Sequence, residues 1–217
     1  ALAHYRSLLA DDVRFNEYVQ YLFFKQWEAL HAYTRKKGIK LIGDMPIYVA
    51  LDSADVWASP DNFMLDERNM PLEVAGVPPD SFTEDGQLWG NPLYNYEAME
   101  ADGFGWWIRR VAGAAHLYDM IRIDHFRGFE SYWAVPAGEK TAKIGRWVKG
   151  PGMKLVGALI SRFPQTSFIA EDLGYTTPEV AKLLSDSGLP GMKVLEFAFD
   201  SRDENTFMPH AYGPHCA

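Results

Sequence analysis

The sequence predicts an α/β fold, an arc of a (β/α)8 barrel, and three observations carry that prediction. Short apolar runs alternate with helix-period segments four times, as they do when parallel strands are joined by helical crossovers. Three of those runs are followed by an acid: Ile39-Lys-Leu-Ile-Gly43 by Asp44, Met120-Ile-Arg-Ile123 by Asp124, and Ser167-Phe-Ile-Ala170 by Glu171. An open doubly wound sheet usually carries a glycine-rich phosphate turn after its first strand, and the nearest candidate, Gly103-Phe-Gly105, lacks the strand and the third glycine. Acids at the carboxyl ends of several strands suit the barrel, whose active sites occupy that face.

The elements follow in order. Phe15, Tyr18, Val19, Leu22, Phe23, Gln26, Leu30 and Tyr33 recur at three- and four-residue steps, so an amphipathic helix is expected over about 12–37, ending in Lys36-Lys37-Gly38. The strand before Asp44 comes next. Residues 59–96 show little periodicity but much Pro, Gly, Asp and Asn, and are expected to form a long loop insertion. Its Phe82, Leu88, Trp89, Leu93 and Tyr94 argue for an ordered, functional loop rather than a disordered one. A helix over about 96–116 leads to the strand ending at Asp124, and a helix near 151–163 to the strand ending at Glu171. Thr176-Thr177-Pro178-Glu179 caps another helix, with Pro in its first turn. A fourth strand is expected at about 192–197.

Composition narrows the function. The 217 residues are 47% hydrophobic, enough for one domain with a real core, and no apolar stretch approaches bilayer length. A net charge of −8 with scattered Lys and Arg argues against a nucleic-acid surface. Cys216 is the lone cysteine, so no internal disulfide forms, and no signal-peptide pattern precedes the first helix; a cytoplasmic protein is the expectation. Seven Trp, 11 Tyr and 13 Phe, several of them among Gly, Pro and Asn, point to an aromatic binding surface. The six histidines show no metal-ligand spacing, and neither a nucleophile elbow nor a phosphate loop is present, so no metal or cofactor is expected.

The chemistry concentrates in the strand-end residues. Arg122 and Asp124 are two apart on one strand and point the same way, so the guanidinium favours an ionised carboxylate, as a nucleophile needs; the plainer reading is a salt bridge that positions the next loop. Glu171, at the mouth of an apolar strand, suits a general acid/base whose pKa is raised by burial; alternatively Glu171 or Asp172 caps the turn at Leu173-Gly174. Asp44 either binds substrate hydroxyls, orients the arginine, or shapes a turn before Met45-Pro46. Trp89 and Tyr94 flank Gly90-Asn91-Pro92, an arrangement suited to presenting a flat ring to a sugar, with Gln87 and Asn91 offering amides. Trp106, Trp107 and Trp133 are expected to pin loops to the core.

Taken together these segments resemble glycoside hydrolase family 77, the amylomaltases or 4-α-glucanotransferases. Gly43-Asp-Met-Pro-Ile-Tyr-Val-Ala-Leu-Asp-Ser-Ala-Asp-Val-Trp57, Pro78-Pro-Asp-Ser-Phe82, Gly86-Gln-Leu-Trp-Gly-Asn-Pro-Leu-Tyr94, Arg122-Ile-Asp-His-Phe-Arg-Gly128, Glu171-Asp-Leu-Gly174 and Pro190-Gly-Met-Lys-Val-Leu-Glu-Phe-Ala-Phe199 look like that family's motifs, in its order. The resemblance implies a barrel of the α-amylase superclan and a retaining mechanism acting on maltodextrin or starch-type α-1,4-glucans. It implies Asp124 as nucleophile and Glu171 as acid/base. It further implies substrate contacts from Asp44, Tyr48, Asp80, Gln87, Trp89, Asn91, Arg122 and His125, with residues 59–96 as a glucan-binding lid. The family's third acid, in a Thr-Gly-Thr-His-Asp-Asn motif expected soon after Phe207-Met-Pro-His210, is not among residues 1–217. The chain therefore reads as an internal part of a longer enzyme, expected to have little activity by itself. A hydrolase of the same superclan and a noncatalytic glucan-binding barrel are the competing readings.

Overall fold

The computed structural model describes residues 2–80, 83–174, 176–199, 207–213 and 215–217. Two sheets organise it. The first contains β1 (Ile42–Met45), β4 (Met120–Ile123) and β7 (Ser167–Ala170), all parallel, in the order β1-β4-β7. Between β1 and β4, and again between β4 and β7, the chain leaves this sheet and builds a second one. That sheet is antiparallel, in the order β3-β2-β5-β6, from β2 (Glu73–Val77), β3 (Gln87–Pro92), β5 (Ser131–Pro136) and β6 (Arg146–Lys149).

Alternation sets which side of the parallel sheet is covered. Met45, Ile121, Ile123, Phe168 and Ala170 face the helices and are buried, whereas Ile42, Asp44, Arg122 and Asp124 face the other way and remain half-exposed or exposed. The helices on the covered side are α5 (Gly105–Leu117), α6 (Met153–Arg162) and α7 (Pro178–Ser187). Trp107, Phe126, Phe129, Leu155 and Leu159 are among the large side chains closed into this core. Gly43 permits the close approach of α5's end, since a β-carbon there would lie 2.0 Å from the Tyr118 ring.

The helices follow the sequence closely. The long N-terminal helix α2 (Ala10–Lys36), preceded by α1 (Leu2–Leu8), docks through one face only. Trp27 Nε1 donates to Leu117 O at 2.8 Å, while His31 Nε2 and Arg35 Nε meet the Asp119 carboxylate at 2.9 and 2.8 Å. The expected apolar stripe is instead open in part: Phe15, Tyr18 and Leu30 are exposed. The helix expected over 96–116 is broken into α4 (Tyr96–Ala101) and α5, with Phe104 in a left-handed conformation (φ 61°) at the junction. A short helix, α3 (Ala54–Ala58), is capped by Ser53, whose Oγ accepts from Val56 N at 3.3 Å.

Two expectations differ from the structure. Residues 192–197 do not form a fourth parallel strand: 192–194 have no regular structure and Leu195–Phe199 is a 3-10 helix. Pro190 has no N–H for the ladder, and the Met192 N–H is taken by the Asp172 side chain at 2.8 Å, so pairing with β7 stops after Pro190 O accepts from Ala170 N. Residues 59–96, expected as loop, contain the 3-10 turn Pro60–Asn62 as well as β2 and β3. Both strands carry Gly and few aromatic residues; β2 is held by β5, some sixty positions away, and β3 by β2. Among the described residues no helix is long and apolar enough to cross a membrane.

Candidate active site

Asp124 and Glu171 each follow the last residue of a strand, and those last residues, Ile123 and Ala170, are paired in register. The register continues past the strands, since Glu171 N donates to Ile123 O and Asp124 N to Met45 O, at 3.0 and 3.1 Å. The two acids thus stand side by side on adjacent strands, whose spacing is about 4.8 Å. Asp44 pairs with Arg122 across β1 and β4. By alternation Asp44, Arg122, Asp124 and Glu171 share one face.

Arg122 ties this row together. Its Nη1 donates to Asp44 Oδ1 at 2.5 Å and to Asp124 Oδ1 at 3.0 Å, and its Nε lies 3.1 Å from Met192 Sδ. Burial opposes the guanidinium charge, but the Asp44 hydrogen bond and the charges of Asp44, Asp124 and Glu171 outweigh it and raise the Arg122 pKa. Asp44 therefore takes the arginine-orienting role rather than a turn-forming one. The Arg122–Asp124 pair is the salt bridge that the strand spacing allows.

Glu171 is 9% exposed, and burial raises its pKa above the usual glutamate value. Two main-chain donors oppose that rise, His125 N on Oε2 and Leu173 N on Oε1, both at 2.8 Å, while the Asp124 charge adds to it. The turn-capping reading of this residue is realised too, because Oε1 holds the turn at Leu173. Asp172 faces away from the row, and its Oδ1 accepts the Met192 N–H.

His125 adopts a left-handed backbone (φ 49°), and this turn aims its N–H at Glu171 immediately after Asp124. Burial, with help from the Arg127 charge, lowers its pKa from 6.5 to about 4, so the imidazole is neutral at ordinary pH. The Trp89 ring meets it edge-on at 4.9 Å. Trp89 stands on β3 beside Gln87, whose Oε1 accepts from its Nε1 at 3.1 Å, and is 36% exposed. Tyr48 packs 6.1 Å from Trp89 and stacks on Tyr94 at 5.7 Å, which leaves it buried. Asn91 Nδ2 donates to Val49 O at 2.9 Å and so fastens β3 to the segment after β1. Asp80 lies in the β2–β3 connection, with Oδ1 accepting from Thr83 N at 2.9 Å; Phe82 of the same motif lies outside the described residues.

Contacts therefore link eight of the ten sequence-derived site residues, while Asn91 binds the Val49 carbonyl and Asp80 is placed by its turn. Trp106 and Trp107 are core residues, as expected, and Trp133 anchors a satellite cluster under the antiparallel sheet. Met192 was hidden because its run read as a strand, and a thioether has no distinctive sequence signal.

The whole chain, residues 1–217, matches the family described as 4-alpha-glucanotransferase, glycoside hydrolase family 77. The chain belongs to that family. It is similar to the 4-alpha-glucanotransferase of Thermus thermophilus, 55% identical over 215 residues, which are 99% of this chain and 43% of that protein. It is also similar to the chloroplastic/amyloplastic 4-alpha-glucanotransferase of Solanum tuberosum, 53% identical over 88% of this chain and 33% of that protein. Its fold superposes on the amylomaltase of Streptococcus agalactiae in complex with acarbose, with a TM-score of 0.95 and 44% identity, over 100% of this chain and 44% of that one. The chain thus spans less than half the length of these relatives. Its parallel sheet is an arc of the family's (β/α)8 barrel, with three strands among the described residues rather than the four expected.

Proposed function

We propose that the protein is a retaining 4-α-glucanotransferase. In this reading the Asp124 carboxylate attacks the anomeric carbon of an α-1,4-glucan while the protonated Glu171 gives its proton to the departing 4-oxygen. The glycosyl–Asp124 ester is then attacked by the 4-hydroxyl of an acceptor glucan, whose proton passes to the Glu171 carboxylate. Two inversions return the α-configuration. The observation that carries the reading is the in-register placement of Asp124 and Glu171 on neighbouring parallel strands. Residues directly opposite on neighbouring strands have β-carbons about 4.5–5.5 Å apart, which allows the two carboxyls the roughly 5–5.5 Å separation of a retaining pair.

The electrostatics support the division of roles. Burial favours a protonated Glu171, and Arg122 supplies positive charge to Asp124. His125 stays uncharged and offers a hydrogen bond to a sugar hydroxyl. Trp89, backed by Tyr48, supplies an apolar ring face, and Gln87, Asn91, Asp80 and Asp44 supply polar groups to the glucan. Residues 59–96 act as the lid that carries Asp80, Gln87, Trp89 and Asn91. The bound acarbose of the streptococcal relative supports an α-glucan as ligand. A cytoplasmic location is part of the proposal; the potato relative is chloroplastic/amyloplastic.

The test is incubation of the full-length protein with maltotriose. Transfer yields glucose together with maltodextrins longer than the substrate, and Asp124→Asn and Glu171→Gln each abolish both. Accumulation of glucose and maltose alone would point to a hydrolase. Maltodextrin binding without turnover, unaffected by Asp124→Asn, would point to a noncatalytic glucan-binding barrel.

A further inference from the structure

We propose that Asp172 and Met192 form a positioning relay for Arg122; the inference rests on the catalytic reading of Asp124 given above. Glu171 and Asp172 are consecutive, so when one faces the site the other faces away. The outward carboxylate is occupied by main chain. Asp172 Oδ1 accepts the Met192 N–H at 2.8 Å, and Gly191 lies so close that a β-carbon would come within 2.8 Å of the same carboxylate. Residues 191–192 are thereby fixed against the end of β7, and the Met192 side chain returns toward the site, with Sδ 3.1 Å from Arg122 Nε.

The chemistry of that last contact explains its use. A guanidinium has five N–H donors in a rigid fork, and Nη1 already serves both Asp44 and Asp124. A carboxylate on Nε would compete with them for the positive charge. A thioether accepts weakly and is neutral, so it fixes the rotation of the fork and leaves the charge directed at the two acids. Methionine has three rotatable bonds and places its sulfur poorly unless its backbone is held. The Asp172 carboxylate supplies that anchor. Met192 and Asp172 are positioning residues and touch neither the reacting atoms nor the glucan in this scheme.

The experiment uses the full-length protein. Met192→Leu keeps volume and removes the acceptor, and is expected to lower kcat about threefold to tenfold while KM changes less than about twofold. Asp172→Ala gives the same pattern, and Asp172→Asn, whose amide oxygen still accepts the Met192 N–H, restores most of the rate. In an Arg122→Lys background, which has no Nε to hold, Met192→Leu adds less than about a twofold loss. In parallel, the Arg122 Nε–H resonance, identified by its disappearance in Arg122→Lys, exchanges with water slowly in the wild type and Asp172→Asn and quickly in Met192→Leu. Equal losses from Met192→Leu in both backgrounds, or an Nε–H exchange rate that Met192→Leu leaves unchanged, overturns the relay. A wild-type protein that transfers no glucosyl units overturns the catalytic reading instead, and the Nε–H exchange then decides for or against the relay by itself.

Discussion

Replacing Arg122 by Met removes one positive charge that two carboxylates share, while keeping much of the side chain's volume. Asp44 Oδ1 and Asp124 Oδ1 lie 2.5 and 3.0 Å from the same nitrogen. A hydrogen bond to a charged group contributes about 1.5–3 kcal/mol, but both acids are partly hydrated. The Asp44 side chain is 59% exposed, so its share falls to the ~0.5 kcal/mol of a surface pair. Asp124, at 38%, takes the low end of the range, ~1.5 kcal/mol. The total of about 2 kcal/mol corresponds to a fall of roughly thirtyfold in kcat/KM when it acts on the reacting geometry.

The same change has a signed effect on pH dependence. A general acid must be protonated, so activity falls as pH rises through the Glu171 pKa. The Arg122 charge is one of the influences that lower that pKa, and its removal lets burial push the pKa further up. The alkaline limb of the kcat/KM profile for maltotriose disproportionation therefore moves to higher pH in Arg122→Met. Arg122→Lys keeps the charge and loses the fork, so its rate falls with the limb nearly in place. A rate for Arg122→Met within about threefold of the wild type, or a limb displaced to lower pH, refutes the reasoning.

Three further outcomes follow from the packing. Gly43→Ala drives a β-carbon into the Tyr118 ring and should cost about 1–3 kcal/mol in urea denaturation, most of it recovered when Tyr118→Ala is added. Trp107 is fully buried, and its Nε1 has no hydrogen-bond partner among the described residues, so Trp107→Phe should destabilise much less than Trp107→Ala, which should lose about 3–5 kcal/mol. His125 is held near 4, below its ordinary 6.5, so its ring protons should not titrate between about pH 8 and 5 in a histidine NMR titration. Because the folded state disfavours the imidazolium, the stability His125 contributes is lost as pH falls from 6.5 toward about 4, and His125→Gln should flatten that part of the stability profile.

Much of the candidate site was legible in the sequence because its signals are local. Two residues on one strand share a face, so Arg122 and Asp124 had to be neighbours, and β4 delivers them as such. An apolar run followed by an acid placed Asp124 and Glu171 just past their strands, whereas Asp44, expected after a strand over 39–43, is the third residue of β1. The antiparallel sheet was not legible, because β2 pairs with β5 across some sixty residues and its sequence, Glu-Val-Ala-Gly-Val, is short and broken by Ala and Gly between its two valines. Tyr132, Trp133, Val135, Trp147 and Val148 were the available signal for β5 and β6.

The sequence by itself determined three of the four parallel strands expected from it, the helices between them, the acids Asp124 and Glu171 just past two of those strands and the family whose motifs they form. Only the tertiary structure decided how those acids are set against one another. Strand order β1-β4-β7 puts Asp124 and Glu171 on adjacent strands, and the turn at His125 gives Glu171 a main-chain donor. Met192, some seventy positions from Arg122, meets the far side of its guanidinium. Residue type and spacing fix what a side chain can do within a few positions along the chain. Register between strands and burial depend on the whole fold, and they are what separates Glu171, whose pKa burial raises, from an arginine-paired Asp124.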